Sequence, residues 1–439
     1  MLKTLRNALK IEDIRKKLIF TFLMLIVVRF GSQLPIPGAN REYFQALFAQ
    51  QTGDAFNFFD AFTGGSFTSM SLFALGITPY ITSSIIVQLL TIAIPKLEEM
   101  QKDGEDGRKK IQTISRYLTV ALALIESIAM TIGFGGRGLL ESSTVPNMIL
   151  VVAAMTAGSA FLMWIGEEIT EHGVGNGISI VLLINIVSRI PDDFVTLYQQ
   201  FMSGDKTILS KVVAAVVIVA VILVTVIFVI FLQGGERRIP VQYAKKMQGR
   251  KMVGGQSTNI PLKVNTAGVI PVIFASSLMS FPGVIASLLG KTGGTGVGSQ
   301  IITGLSQSSW CDPSRPVYSL GLVLYIVLVV FFAYFYTSIT FNPIEISNNM
   351  KRQGGFIPGI RPGKPTTEYL SRILNYIVFV GAAGLIIVCV IPIFFNGMFG
   401  ADVSFGGTSI IIIVGVVLET LKQIESQMLV RYYKGFLND

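Results

Sequence analysis

Ten predominantly apolar stretches punctuate this chain, near residues 18–34, 72–94, 113–134, 147–166, 175–190, 211–233, 266–289, 317–341, 373–395 and 407–425. Runs of roughly 20 apolar residues match the hydrocarbon thickness of a bilayer. Inside lipid every backbone polar group must be satisfied internally. The sequence therefore predicts an all-α polytopic membrane protein with ten transmembrane helices. Composition agrees: only 14% of the residues are charged, against about 25% in a soluble domain.

The same composition excludes several function classes. Two cysteines, Cys311 and Cys389, cannot build a disulfide framework or a metal cluster, and a single histidine, His172, excludes a multi-histidine site. The start, "MLKTLRNALKIEDIRKKL", sets Leu2, Leu5, Leu9, Ile14 and Leu18 near one helical face among lysines and arginines. This predicts an interfacial amphipathic helix over residues 1–17. The following "GSQLPIPG" lacks a small-x-small cleavage signature, so the first apolar run is expected to be retained as a spanning helix.

An even number of spans puts both termini on one side. Of the 35 Lys and Arg, 27 fall on the terminal side and seven on the other, with Arg29 inside the first span. By the positive-inside rule both termini are cytoplasmic. The net charge of +9 then needs no nucleic-acid partner.

Two of the spans share an irregularity. "GITPYITSS" (76–84) resembles "GVIPVIFASS" (268–277), with Gly76 and Gly268, Pro79 and Pro271, and Ile81 and Ile273 all at an offset of 192. The first lies in the second span of five, the second in the second span of the next five. Gly/Pro-interrupted spans at matching places in two halves point to a central pathway between inverted repeats. Broken helices are tolerated where they line a cavity or are buried in protein. The predicted architecture is thus two pseudo-symmetric five-helix halves around a central pore. Its parts are a cytoplasmic arm (1–17), an N-terminal half (18–190), an external linker (191–210), a C-terminal half (211–425) and a cytoplasmic tail (426–439).

An enzyme is disfavoured. "GVIASLLGKT" ends like a phosphate-binding loop, but six residues instead of four separate Gly283 from Gly290. No catalytic, metal or cofactor residues are expected. An ion-coupled secondary transporter of a small solute is the competing reading, since ionisable residues within spans are costly and tend to be functional. Only Glu126 and Arg29 lie clearly inside a span, and the remaining pathway is Ile, Val, Ser and Thr. That lining suits a channel for something large and chemically varied. The cytoplasmic loops over 234–265 and 342–372 are long, basic and rich in Gly and Pro, which predicts protruding hairpins or turns able to dock a cytosolic machine.

Seven stretches, in order, carry a resemblance: "FALGITPYITSSIIVQLL", "EDGRKKIQTISRY", "GVGNGISI", "QGGERRIPVQYAKKM", "NIPLKVNTAGVIPVIFASS", "FNPIEISNNMKRQGGFIPGIRPG" and "FGGTSIIIIVGVVLE". Over essentially its whole length the chain resembles the SecY family, the central subunit of the bacterial protein-conducting channel. The resemblance implies a multi-pass protein of the bacterial plasma membrane that passes unfolded preproteins across it and releases membrane-protein segments sideways into lipid. It implies SecE and SecG as partner subunits, and the SecA ATPase or a translating ribosome as the cytosolic driver. By register, an aliphatic pore ring falls on Ile81, Ile85, Ile178, Leu182, Ile273 and Ile412. The segment "NFFDAFTGGSFTSMS" (57–71) is similar to the family's plug, with Phe58, Phe59 and Phe62 as its apolar body and Gly64 and Gly65 as its hinge. Ile86, Gln88 and Phe281 fall on the lateral gate, and Arg237, Arg238, Lys245, Lys246, Arg250, Lys251 and Arg361 on the docking loops.

The ring makes physical sense beside the resemblance. Small aliphatic side chains offer no hydrogen bonds, so a narrow neck built from them dewets. They also grip no particular side chain. Ile81 and Ile85, like Ile178 and Leu182, are four apart and so share a helical face.

Overall fold

The computed structural model describes residues 9–50, 60, 62–134, 138, 140, 142, 144–199, 208–243, 246–248, 251–253, 257–288, 297–306, 309–311, 316–399 and 407–435. It is mostly helical, and each of the ten apolar stretches carries a helix. Helix α1 (Glu12–Gly31) runs from the basic arm into the first apolar stretch without a break. Residues 12–17, expected in a separate interfacial helix, are its opening turns, because no Gly or Pro interrupts residues 12–30. Residues 9–11, also expected in that helix, form a turn, and residues 1–8 lie outside the described residues.

A short helix α2 (Arg41–Gln50) follows, then turns over residues 64–77 and α3 (Thr78–Ala93). The chain bends by 108° into α4 (Pro95–Lys102). Pro95 lacks the N–H that would continue the ladder, and Ile94 before it is extended (φ −113°, ψ 110°). Helices α5 (Glu105–Phe134), α6 (Val145–His172), α7 (Gly177–Leu197) and α8 (Ile208–Gly234) come next. Helix α7 carries Pro191 and continues to Leu197, so the first residues expected in the linker are helical. Strands β1 (Glu236–Tyr243), β2 (Lys246–Gln248), β3 (Lys251–Val253) and β4 (Ser257–Lys263) precede α9 (Ile270–Leu288), α10 (Val297–Leu305) and α11 (Leu320–Thr340). The chain ends with α12 (Pro343–Arg352), β5 (Gly355–Phe356), α13 (Lys364–Phe399) and α14 (Gly407–Gly435).

Among the described residues five helical stretches are long and apolar enough to cross a membrane, or six if the bent pair α3–α4 counts as one. The expected ten are not all of that kind. Arg15, Lys16, Lys17 and Arg29 interrupt α1; Arg189, Asp192 and Asp193 interrupt α7. In α9 the described residues include the apolar run Ile270–Met279.

The shared Gly–Pro irregularity differs from its expected form. It marks where two helices begin. Gly76 has φ +60° just before α3, with Pro79 in the first turn; Gly268 has φ +65° just before α9, with Pro271 in the first turn. Gly accepts that backbone region without strain, and a first-turn Pro loses no helical hydrogen bond. The turns over 72–77, expected as helix, precede the real start.

The two starts are held alike. Helix α3 packs along α5, and α9 along α11. Ser83 is buried with its Oγ 2.6 Å from Thr119 Oγ1 of α5, and Ser276 is buried with its Oγ 3.5 Å from the Tyr325 hydroxyl of α11. Among the described residues, the buried members of one apolar cluster come from residues 36–155 and those of another from 229–414. A third joins residues of both stretches.

The basic loops fold as one unit. Strand β1 pairs antiparallel with β4, Ile239 opposite Ile260, and with β5, Gln242 opposite Phe356. Beneath this sheet Ile239, Val241, Leu262, Met350, Ile357, Leu370 and Ile373 form a separate apolar core.

Candidate functional site

The third apolar cluster is where residues distant in sequence converge. Leu182 and Ile412 are buried in it, with Ile81, Ile178 and Ile273 packed against them. Ile85 faces the same region, lining a cavity of about 80 Å³ with Phe62, Thr78, Ile81, Thr82, Ile273, Phe274 and Ser277. Five of the residues expected at the ring thus lie in or against this cluster, and Ile85 lines the adjoining cavity with Ile81 and Ile273. Four helices supply them: α3 (Ile81, Ile85), α7 (Ile178, Leu182), α9 (Ile273) and α14 (Ile412).

Local sequence fixes the α7 contribution. Gly175 turns the chain at φ +84°, and Asn176 caps the helix by accepting from the N–H groups of Ile178 (3.1 Å) and Ser179 (3.3 Å). Gly177 lies so close to α6 that an added Cβ would stand 2.0 Å from the Gly166 carbonyl. The "GVGNGISI" stretch therefore seats α7 against α6 and aims Ile178 and Leu182 inward.

The cavity separates α3 from α9 on the side of Phe62. Ile86 is half-buried and Gln88 exposed on α3; Phe281 lies in the α9 helix. The lining is hydrocarbon apart from the hydroxyls of Thr78, Thr82 and Ser277.

The segment expected as plug enters the cluster through Phe62. Phe58 and Phe59 lie outside the described residues. Phe62 is buried in the cluster, and Gly64 and Gly65 adopt φ +67° and +83°. The far end is stitched to the loop after α1, where the Ile36 N–H donates to the Met70 carbonyl (3.0 Å) and the Leu72 N–H to the Leu34 carbonyl (2.8 Å). Arg29, a candidate coupling residue by sequence, donates to the Gly64 carbonyl at 3.5 Å.

Sequence reasoning missed the polar anchoring of this segment. Asp60 is its only charged residue, is buried, and forms an ion pair with Arg189 of α7. Asn185 of the same helix donates to the Phe62 carbonyl at 3.2 Å. One signal was available: an isolated carboxylate in an apolar stretch needs a partner.

On the loops, Arg237 and Arg238 are exposed on β1. Lys246 and Lys251 lie on β2 and β3, while Lys245 and Arg250 lie outside the described residues. Arg361 is exposed between Gly359 (φ +83°) and Gly363 (φ +104°). Its backbone is fixed, since its carbonyl accepts from Thr366 Oγ1 (2.8 Å) and the Gly363 carbonyl from Ser347 Oγ (3.0 Å). Across the base of this unit Glu236 pairs with Lys422 of α14 at 2.9 Å, a bond that lowers the Glu236 carboxyl below its ordinary range.

The family model for SecY matches residues 71–421. Curated relatives span the chain from end to end. Protein translocase subunit SecY of Halalkalibacterium halodurans is 44% identical over 445 residues, covering 100% of both chains. Those of Bacillus subtilis and Streptomyces galbus are 43% and 44% identical, again covering 100% of both. Solved structures share the fold. A protein-conducting channel superposes with TM-score 0.60 at 20% identity over 94% of this chain and 93% of that one. A SecY protein studied for its plug domain gives TM-score 0.63 at 19% identity, over 94% and 92%. Sec61 from a canine ribosome–channel complex gives 0.58 at 18%, over 94% and 93%. The chain belongs to the SecY family.

Proposed function

We propose that the constriction formed by Ile81, Ile85, Ile178, Leu182, Ile273 and Ile412 is the pore ring of a protein-conducting channel, and that this chain is the pore subunit of a bacterial protein translocase. The observation that carries the reading is the convergence of these six residues, from four helices, in a chain whose full-length relatives are translocase subunits. A dry aliphatic neck excludes ions at rest and yields to a polypeptide of any sequence. The segment 57–71 acts as the plug on one side of the neck, with Phe58, Phe59 and Phe62 as its apolar body and Gly64 and Gly65 as its hinge.

The two halves, five helices each, are related by the shared helix starts at Thr78 and Ile270. The apolar seam between α3 and α9 is the lateral gate through which hydrophobic segments leave for lipid. The termini and the basic sheet face the cytoplasm, where an excess of Lys and Arg is retained. Arg237, Arg238, Lys245, Lys246, Arg250, Lys251 and Arg361 dock the SecA ATPase or a translating ribosome, and SecE and SecG complete the membrane complex. The transporter alternative loses support at Arg29, which is turned toward a carbonyl of the plug.

Reconstitution tests this reading. Proteoliposomes holding this chain with SecE and SecG are expected to bring a preprotein into a protease-protected state when SecA and ATP are supplied. No protection, together with uptake of a small solute by this chain alone, would favour the transporter.

A further inference from the structure

The anchoring of residues 60–71 has a feature that packing alone does not require. On α7, residues 178, 182, 185 and 189 recur at the spacing of one helical face. The first two are Ile178 and Leu182, in the aliphatic constriction. The next two are Asn185 and Arg189, which hold the Phe62 carbonyl and the Asp60 carboxylate. One stripe of one helix thus changes from hydrocarbon to polar where the segment begins.

The segment is gripped closely there. Asp60 is 1% exposed in its side chain and Arg189 24%. The other oxygen of Asp60 accepts from the Thr68 N–H at 2.9 Å, which ties the carboxylate to its own loop. Gly64 lies so near α7 that an added Cβ would stand 2.8 Å from the Asn185 carbonyl. Arg29 of α1 reaches the Gly64 carbonyl from another helix.

We infer that Asp60, Asn185 and Arg189 form an ionic latch that holds the plug against α7, making Asn185 and Arg189 positioning residues for the seal. The inference rests on the channel reading above. An ion pair in a water-poor site attracts far more strongly than one in water, while a charge left there without its partner is costly. The latch therefore holds while the constriction is dry. Once a polypeptide parts the ring and water enters, both charges are solvated and the pair loses its grip. Closing the channel restores it. The device makes release follow ring opening, and it links two seals that packing would leave independent.

The test is resting ion conductance in planar bilayers, with Ile412→Asn measured beside the latch variants. Asp60→Asn and Arg189→Gln should each raise resting conductance about a hundredfold or more, the scale expected when one member of a buried pair is removed, and should permit export of a preprotein with a defective signal sequence. The exchange Asp60→Arg with Arg189→Asp should return conductance toward the original value, and Arg189→Lys should leak less than Arg189→Gln. If the charge variants do not insert, Asn185→Leu leaves the ion pair in place and should still raise conductance a few-fold. Original conductance in the latch variants beside a leaking Ile412→Asn would overturn the latch and leave the channel reading standing. Original conductance in all of them would overturn both. Leak in both single variants without recovery in the exchange would also overturn the latch, since pairing would then not be what matters.

Discussion

Replacing Ile412 by Asn puts the proposed ring under a measurable strain. Ile412 is 3% exposed, inside the cluster that also holds Leu182 and Ile186. Burying an isoleucine side chain contributes about 1.5–3 kcal/mol, which the closed state loses. The amide that replaces it costs about 1–3 kcal/mol if buried without partners. In the open, wet state neither term applies, because the side chain meets water. The closed state is thus disfavoured by about 2.5–6 kcal/mol relative to the open one, with each 1.4 kcal/mol a factor of ten in the equilibrium. Resting conductance in planar bilayers should rise about a hundredfold or more for this change. Ile412→Val removes one methylene, worth about 0.5–1.5 kcal/mol, and should raise it only a few-fold. Equal conductance of the original channel and the Asn variant, with both inserted at the same density, would refute the argument.

Three further outcomes are expected. Arg361→Glu should abolish SecA-driven translocation while leaving the channel inserted, and Arg361→Lys should recover it only in part, because an ammonium lacks the bidentate geometry of a guanidinium; transport assays on inserted channel decide this. Ser83→Val with Thr119→Val should show coupling in a double-mutant cycle of unfolding, since their hydroxyls are 2.6 Å apart and buried; strictly additive effects would mean that the pair does not pin α3 to α5. The Glu236–Lys422 pair stabilises the folded state above the unfolded carboxyl range near about pH 4.3, and that contribution fades as pH falls through the lowered folded value. Lys422→Ala should therefore lower thermal stability slightly at pH 7, by less than about 1 kcal/mol for so exposed a pair, and the difference should vanish in acid.

Hydropathy placed the helices well, because a long apolar run leaves the backbone few alternatives. What the sequence left ambiguous was the meaning of Gly and Pro. Gly76–Pro79 reads equally as a break within a helix or as the start of one, and only the turns packed at 72–77 decide between them. Hairpins in the basic loops were legible from turn residues. The pairing of β5 with β1 was not, since a two-residue strand is defined by its partner and not by its own propensity. The six aliphatic residues look like ordinary packing when read singly, and their meeting place emerges from four helices that no local pattern connects. Asp60 stands as an isolated charge in its segment, whereas Arg189 has Asp192 and Asp193 close behind it, and nothing in the neighbouring residues pairs Asp60 with Arg189.

The most direct measurement of the central claim is crosslinking to a polypeptide arrested halfway across the membrane. Photoreactive side chains placed at residues 81, 178, 182 and 412 should all reach the arrested chain. One placed at Phe231, 75% exposed on α8, should instead reach lipid. A preprotein that crosses at full rate, yet crosslinks to none of the four constriction positions, would contradict the account.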